Sequence, residues 1–293
     1  EALMAEVAAA SPTGLGIGAL AAWLRSTFLR VRCGKSPATY AAAFPLTDGG
    51  TSVNVGVEQR QIQMQPPCPR QHHPLLAAEG PDVDRFIELL CACELSKLES
   101  ACLIQRRQDG VGGCVFYATA LGEAACRCGV RVDTVRQFLA AEAPRDMQGV
   151  LSLLSSSPDF EDARPKQGQR AQLREWAQKS VRWTAKGPVD TAGKKVHVLL
   201  QLALGDPPRP QLPWDLKAQQ RQLLIRSDVQ LHLLVEIFKC RRQGVPLAWA
   251  LLLRKCLKKR LWEDSPMEVR QLPNIGDTNA QRLQAAGMGT LAG

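Results

Sequence analysis

Residues 260–291 read RLWEDSPMEVRQLPNIGDTNAQRLQAAGMGTL. Within them Leu272-Pro273-Asn274-Ile275-Gly276 has the composition of a tight hairpin, and Thr278 to Ala286 that of a short helix closed by Gly287. Placed after another helix, this is a helix-hairpin-helix signature. Hairpin residues without bulky side chains let backbone N–H groups approach a nucleic-acid phosphate, and the following helix turns its positive N-terminal end to the same anion. Such a grip reads no base. The same residues also fit an ordinary corner between two helices, with Gly276 in the turn and Gly287 as C-cap, so the preceding sequence has to decide.

Working back from Arg260, Pro246 to Trp262 is predicted to be a helix. At about 100° per residue, Arg254, Lys255, Lys258 and Lys259 fall within an arc of roughly 140°, while Leu253, Cys256 and Leu257 turn elsewhere. From Lys239 to Arg260 the charges are Lys239, Arg241, Arg242, Arg254, Lys255, Lys258, Lys259 and Arg260, with no acid among them. A stripe of this kind is usually a solvated face. With the hairpin beginning about ten residues later, a continuous phosphate-tracking surface becomes the stronger reading. The candidate DNA-binding residues are therefore Lys239, Arg254, Lys255, Lys258, Lys259 and Arg260 from the helical part, with Asn274, Ile275 and Gly276 from the hairpin.

The bulk numbers agree with a folded partner of an anion. A chain of 293 residues with 45% hydrophobic content holds two or three small domains, and a net charge of +9 favours nucleic acid ahead of acidic membrane. No apolar run is long enough to span a bilayer, and the Ala-rich start lacks a basic leader, so no membrane is expected. Ten cysteines without framework spacing point to reduced thiols in a cytosolic or nuclear protein. Cys91-x-Cys93 and Cys126-x-Cys128 have one intervening residue where structural zinc wants two or more, and no metal site is expected. Gly34-Lys35-Ser36 lacks the glycine that a phosphate loop needs five places earlier, where Leu29 stands. Gly14-x-Gly16-x-Gly18 likewise misses the dinucleotide spacing and a preceding strand. Catalytic residues are expected to be absent, because no carboxylate pair, nucleophile triad or Asp-Glu-x-His run occurs.

Along the chain, Gly18 to Arg32 carries Leu20, Trp23, Leu24, Thr27, Phe28 and Val31 at helical spacing. Residues 41–80 lose that period and read as an exposed insertion, in which His72 and His73 are loop residues. Helical faces return with Val83, Phe86, Ile87 and Leu90, then Leu95 and Leu98 after an expected break. Leu103 to Arg107 and Cys114 to Tyr117 flank a Gly-rich turn and predict a β-hairpin, with a helix from Thr119. After a Pro/Ser/Gly-rich boundary holding one short helix at Val150 to Leu154, helices are expected at Arg170 to Lys179, Lys195 to Leu204 and Leu216 to Cys240.

These blocks carry a resemblance. Leu20 to Tyr40, LAAWLRSTFLRVRCGKSPATY, resembles the winged-helix opening of Ski-like superfamily-two helicases. Glu1 to Val7 is similar to the tail of that family's second motor domain, Thr119-x-x-Gly122 to its wing-to-helix junction, and Val198 to Gly205, VLLQLALG, to the opening of its Sec-type helical domain. Leu253 to Ser265, LRKCLKKRLWEDS, before a helix-hairpin-helix looks most like the meiotic crossover DNA helicase branch, the Mer or HFM family. Leu233-Leu234 departs from the basic and aromatic pair expected on the family's ratchet helix, leaving His232 and Lys239 as weak substitutes.

The resemblance implies a mainly α fold: a motor tail at 1–17, a winged helix at 18–142 with a loop insertion at 41–80, a helical ratchet bundle at 143–265, and a truncated helix-hairpin-helix at 266–293. It implies the DNA-binding part of an ATP-dependent 3′ to 5′ DNA helicase of meiotic recombination, located in the nucleus. Partners would be single-stranded or branched DNA and RecA-like motor domains in cis, with ATP and Mg bound by those domains and no cofactor in this part. A chain that begins at Glu1 rather than Met and stops inside a motif reads as a piece of something longer. An RNA-remodelling helicase, a Sec-type partner-binding module and a non-catalytic winged-helix protein remain the alternatives.

Overall fold

The computed structural model describes residues 2–11, 13–36, 39–40, 81–108, 113–184, 187–205 and 210–291. The insertion at 41–80 and the turn of the predicted β-hairpin lie outside them. The fold is mainly α with one small sheet, and the chain divides into two compact units, Ala2–Gly122 and Glu123–Gly293. Residues 123–142, read from sequence with the first domain, thus fall in the second unit.

The first unit contains α1 (Ala2–Ala9), β1 (Leu15–Gly16), α2 (Ile17–Ser26), α3 (Phe28–Lys35), α4 (Pro81–Ser100), β2 (Ile104–Gln108) and β3 (Cys114–Ala118). The strands form an antiparallel sheet in the order β1-β3-β2, pairing Leu15 with Phe116 and Ile104 with Ala118. Two-residue β1 was not foreseen, because a strand that short has no alternation to read.

The single helix expected over Gly18 to Arg32 is two. Thr27 is extended (φ −81°, ψ 164°); its hydroxyl donates to Leu24 O (2.6 Å) and accepts from Leu29 N (3.3 Å), closing α2 and capping α3 at once. The break turns the apolar stripe. Leu20 and Leu24 stay buried, but α3 packs Leu29 and Cys33 on Phe86 and Leu90 of α4 and leaves Phe28 and Val31 exposed. Conversely, the break expected within residues 90–95 does not occur. Cys91 is fully buried and carries the stripe from Phe86, Ile87 and Leu90 on to Leu95 and Leu98, so α4 is continuous.

Thr119 and Gly122 join the sheet to α5 (Ala120–Cys128). Thr119 Oγ1 donates toward Cys102 O (2.8 Å) and accepts from Gly122 N (3.0 Å), capping the helix while gripping the start of β2. Gly122 itself rests on the Leu103 carbonyl, whose oxygen a Cβ would approach to 1.9 Å. No side chain fits there.

The second unit continues with α6 (Val132–Ala140), α7 (Met147–Ser155), a 3₁₀ turn at Pro158–Ala163, a second at Gln167–Gln169 leading into α8 (Arg170–Lys179), α9 (Ala192–Leu204), α10 (Trp214–Cys240) and α11 (Gly244–Lys259). Every residue of α9 from Lys195 to Leu204 is buried. The helix is walled by α7, α8, α10, α11 and the Pro158–Ala163 turn. A helix apolar nearly all round has to sit inside. Its buried lysine, Lys195, donates from Nζ to Gln169 Oε1 (2.8 Å), and Gln169 Nε2 donates on to Asp215 Oδ2 (2.7 Å); burial nevertheless lowers the Lys195 pKa below the usual lysine range.

α10 and α11 fold back on each other through Arg241 to Gln243. The second of them ends at Lys259, short of the expected Trp262: Arg260 adopts a left-handed conformation (φ 54°) and Leu261 N bonds back to Cys256 O (3.1 Å). A last 3₁₀ turn (Glu268–Gln271) and α12 (Asp277–Ala285) follow. Met267, Val269 and Ala280 form a small core of their own, with Ile275 and Leu283 against it. Asn274 (φ 65°) makes the hairpin, Gly287 (φ 79°) ends α12, and Val269 N reaches Gly289 O (3.2 Å) as the chain returns.

Candidate nucleic-acid interface

The wheel drawn for α11 holds at every position but Arg254. Leu253, Cys256 and Leu257 are buried, and Lys255, Lys258, Lys259 and Arg260 are exposed. Among the described residues none of these four has a carboxylate within ion-pair distance. Their charges are available to a partner. Cys256 between them is no nucleophile: burial foremost, with Glu263 adding, pushes its thiol up to about 11.

Arg254 is placed differently. It is half-buried against α10, with Nε donating to Asp228 Oδ1 (2.7 Å), Nη2 to Oδ2 (3.4 Å), and Nη1 3.2 Å from His232 Nδ1. Arginine has no acceptor, so Nδ1 accepts and His232 carries its proton on Nε2. The Arg254 bond holds the Asp228 carboxyl below the usual carboxylate range despite some desolvation. A depressed carboxylate pKa contributes stability that is present above the unfolded value of about 3.9 and lost as pH falls through the folded one. Because Asp228 is 44% exposed, screening limits this to under about 1 kcal/mol. Urea melts of Asp228→Asn should therefore lie below the parent at pH 7 and converge with it near pH 2; a gap independent of pH would refute the assignment.

One cleft joins the basic end of α11 to the hairpin segment. Leu252, Lys255, Cys256 and Lys259 form one wall, Glu268 and Gln271 the other, and Leu261 and Trp262 lie between. Lys255 and Lys259 are thus brought beside the 3₁₀ turn Glu268–Gln271, and Asn274, Ile275 and Gly276 are not among the residues that line the cleft. Glu263 and Glu268 also line the cleft and temper its positive potential.

In the hairpin, Asn274 and Gly276 are exposed, whereas Ile275 packs on the local core and gives its N–H to Leu272 O (3.4 Å). Gly276 is the N-cap of α12, has an ordinary extended backbone (φ −83°), and would meet no atom within 4 Å if it bore a Cβ. The fold does not demand glycine there. Gly276 itself has no side chain to cap the helix; Asp277 in its first turn is paired with Arg270 (2.7 Å), whose side chain is 10% exposed. Lys239, at the far end of α10, pairs with Glu236 (3.0 Å).

α10 carries a second face, which the linear sequence does not announce. Taking Trp214 as 0°, Arg221, Ile225, His232 and Lys239 lie within about 20° of it, and Lys217 within about 60°. Trp214 is 84% and Ile225 63% exposed, with Lys217 and Arg221 exposed between them. Leu233 and Leu234 face the core and are fully buried, so the departure noted there concerns packing and not this surface. Asp228 and Glu236 break the line of cations, which is why charge counting passes over it; a period-3.6 search for exposed aromatics would have found it.

Among known proteins, the chain is similar to the ATP-dependent DNA helicase MER3 of Saccharomyces cerevisiae, 26% identical over 285 residues, covering 92% of this chain and 21% of that protein. It is 25% identical to the probable ATP-dependent DNA helicase HFM1 of Xenopus tropicalis over 275 residues (92% of this chain, 18% of the relative). The ATP-dependent DNA helicase MER3 homolog of Oryza sativa subsp. japonica is 25% identical over 281 residues (91% and 20%). The chain spans about a fifth of the length of these curated relatives. No helix among the described residues is long and apolar enough to cross a membrane. The profile of the Sec63 Brl domain matches residues 118–284, more than half of the sequence and nearly all of the helical unit, and the chain belongs to that family.

Proposed function

We propose that this chain is the DNA-handling part of an ATP-dependent DNA helicase acting in the nucleus during meiotic recombination, and that it binds single-stranded or branched DNA through its backbone. The observation that carries the reading is the cleft in which Lys255 and Lys259, without carboxylate ion-pair partners among the described residues, face the 3₁₀ turn Glu268–Gln271 that leads into the hairpin segment. Phosphates would run along Lys255, Lys258, Lys259 and Arg260 toward the uncapped start of α12, with Gly276 giving the backbone close access. The α10 face that carries exposed Trp214 and Ile225, with half-buried His232 further along it, offers an aromatic and apolar surface of the kind that holds single strands without choosing sequence. In this reading α2, α3, α4 and the β1-β3-β2 sheet of the first unit are a winged helix, and residues 266–291 a helix-hairpin-helix. ATP, Mg and 3′ to 5′ movement belong to RecA-like domains in the same parent polypeptide, as the similarity to the helicases supports.

Replacing Lys255, Lys258 and Lys259 together with Gln tests this. The variant should stay folded by circular dichroism, bind an oligo(dT) strand more weakly, and lose roughly 0.7 of salt slope for each phosphate contact removed. Gly276→Val should weaken binding with little change of slope, since it blocks approach without removing charge. A folded triple variant with the parental slope would favour the partner-binding alternative, to which the carboxylates Glu263 and Glu268 in the cleft are suited.

A further inference from the structure

Arg182 lies in the loop between α8 and α9, far in sequence from the segments it touches. Its Nη1 donates to Glu263 Oε1 (3.1 Å) and Asp264 Oδ1 (3.1 Å), and Nη2 to Asp264 Oδ2 (2.8 Å). Its guanidinium carbon stands 5.1 Å from the ring centre of Trp262 and 5.5 Å from that of Trp183, and the two indoles meet edge to face (5.1 Å, 80°). Trp183 is in turn fixed to the core. Its N–H donates to Gln201 Oε1 (2.8 Å) and its carbonyl accepts from Gln201 Nε2 (3.0 Å), Gln201 belonging to the buried helix α9. An unbroken series of directed contacts therefore runs from α9 through Trp183 and Arg182 to Trp262, Glu263 and Asp264.

Those three residues are the connector by which the hairpin leaves α11. Upstream, Arg260 ends the helix in a left-handed turn; downstream, Ser265 Oγ accepts from Met267 N (3.2 Å), where the hairpin's own core begins. That core is separate from the bundle. A forked guanidinium bound to two acids and stacked on two indoles sets direction as well as distance, which a lysine would not.

We propose that Arg182 is a positioning residue: by clamping Trp262, Glu263 and Asp264 it holds residues 267–291 beside the basic end of α11, with Glu268 and Gln271 across the cleft from Lys255 and Lys259. The proposal rests on the DNA-binding reading for its purpose and on the clamp geometry for its mechanism.

The test uses the 293-residue chain with Arg182→Ala, and with Arg182→Lys should the first variant not fold. Hydrogen exchange is read first, without DNA. The Ser265 and Val269 amides, which bond to Trp262 O and Gly289 O, should lose about tenfold protection, while α9 amides keep theirs. Unchanged exchange at Ser265 and Val269, or an equal loss throughout α9, overturns the proposal. Binding to a fluorescein-labelled oligo(dT) strand is read second. Arg182→Ala should weaken it about fivefold alone but less than twofold in a Gly276→Val background, because both act through the hairpin. Equal factors in both backgrounds would also overturn it. If exchange shifts as expected while the Lys255, Lys258 and Lys259 triple variant keeps the parental slope, the DNA reading fails and the positioning role stands.

Discussion

Replacing Gly122 with Ala is expected to destabilise the first unit by about 3 kcal/mol or more, the cost of driving a methyl into a backbone carbonyl that has nowhere to move. A Cβ at this position falls 1.9 Å from Leu103 O and 2.9 Å from its carbon, while Thr119 holds the same carbonyl through its N–H (3.0 Å) and hydroxyl (3.1 Å). Relief requires either lifting α5 or breaking the Thr119 cap. Gly34→Ala is the matched control: that helical position has no atom within 4 Å of an added Cβ, and alanine there should be neutral or raise stability by up to about 1 kcal/mol. Urea unfolding with hydrogen exchange reads the difference, α4 and strand amides losing protection and α9 amides retaining it. A Gly122→Ala chain with the parental midpoint would mean that the junction is not closed as described.

The second large effect is expected at Gln201, 1% exposed in α9. Its amide makes both backbone bonds to Trp183 and a third to His197 O (3.3 Å). Gln201→Leu keeps the volume but leaves a part-buried Trp183 N–H and C=O without partners, at up to about 1–3 kcal/mol each. Gln201→Glu should be worse. It preserves the acceptor for Trp183 N, but it points an anion at the Trp183 carbonyl in a place where desolvating a carboxylate is costly. Thermal melts should rank parent, Leu, Glu in falling order. A Leu variant as stable as the parent would show that water reaches the Trp183 backbone.

The parts of this structure that were legible in sequence are those in which a single local period decides. The buried and exposed sides of α11 follow from the spacing of Leu253, Cys256 and Leu257 against Lys255, Lys258 and Lys259. The turn before α12 and the end of that helix follow from Asn274 and Gly287, and α9 from an apolar run too dense for a surface helix. What was missed depends on competition or on distance. Thr27 sits in a perfect helical stripe, and only its hydroxyl's double bonding makes it an end. Arg254 belongs to the basic arc by angle, yet Asp228, 26 positions earlier, pairs with it. Arg182 has no signature at all, because its partners lie 81 and 82 residues away. The LWEDS run that carried the family resemblance proves to hold that clamp, with Trp262, Glu263 and Asp264 bound to Arg182.

The complete burial of α9 also bears on how the molecule is made. On a growing chain Ala192–Leu204 appears before the two long helices, Trp214–Cys240 and Gly244–Lys259, that form much of its wall. At about 5–20 residues per second the wait lasts several seconds, during which a sticky helix is covered only by α7, α8 and the Pro158–Ala163 turn. The nascent polypeptide is therefore most vulnerable to aggregation in that interval, and slowing synthesis or withdrawing chaperones should cost yield there before it affects any property of the finished protein.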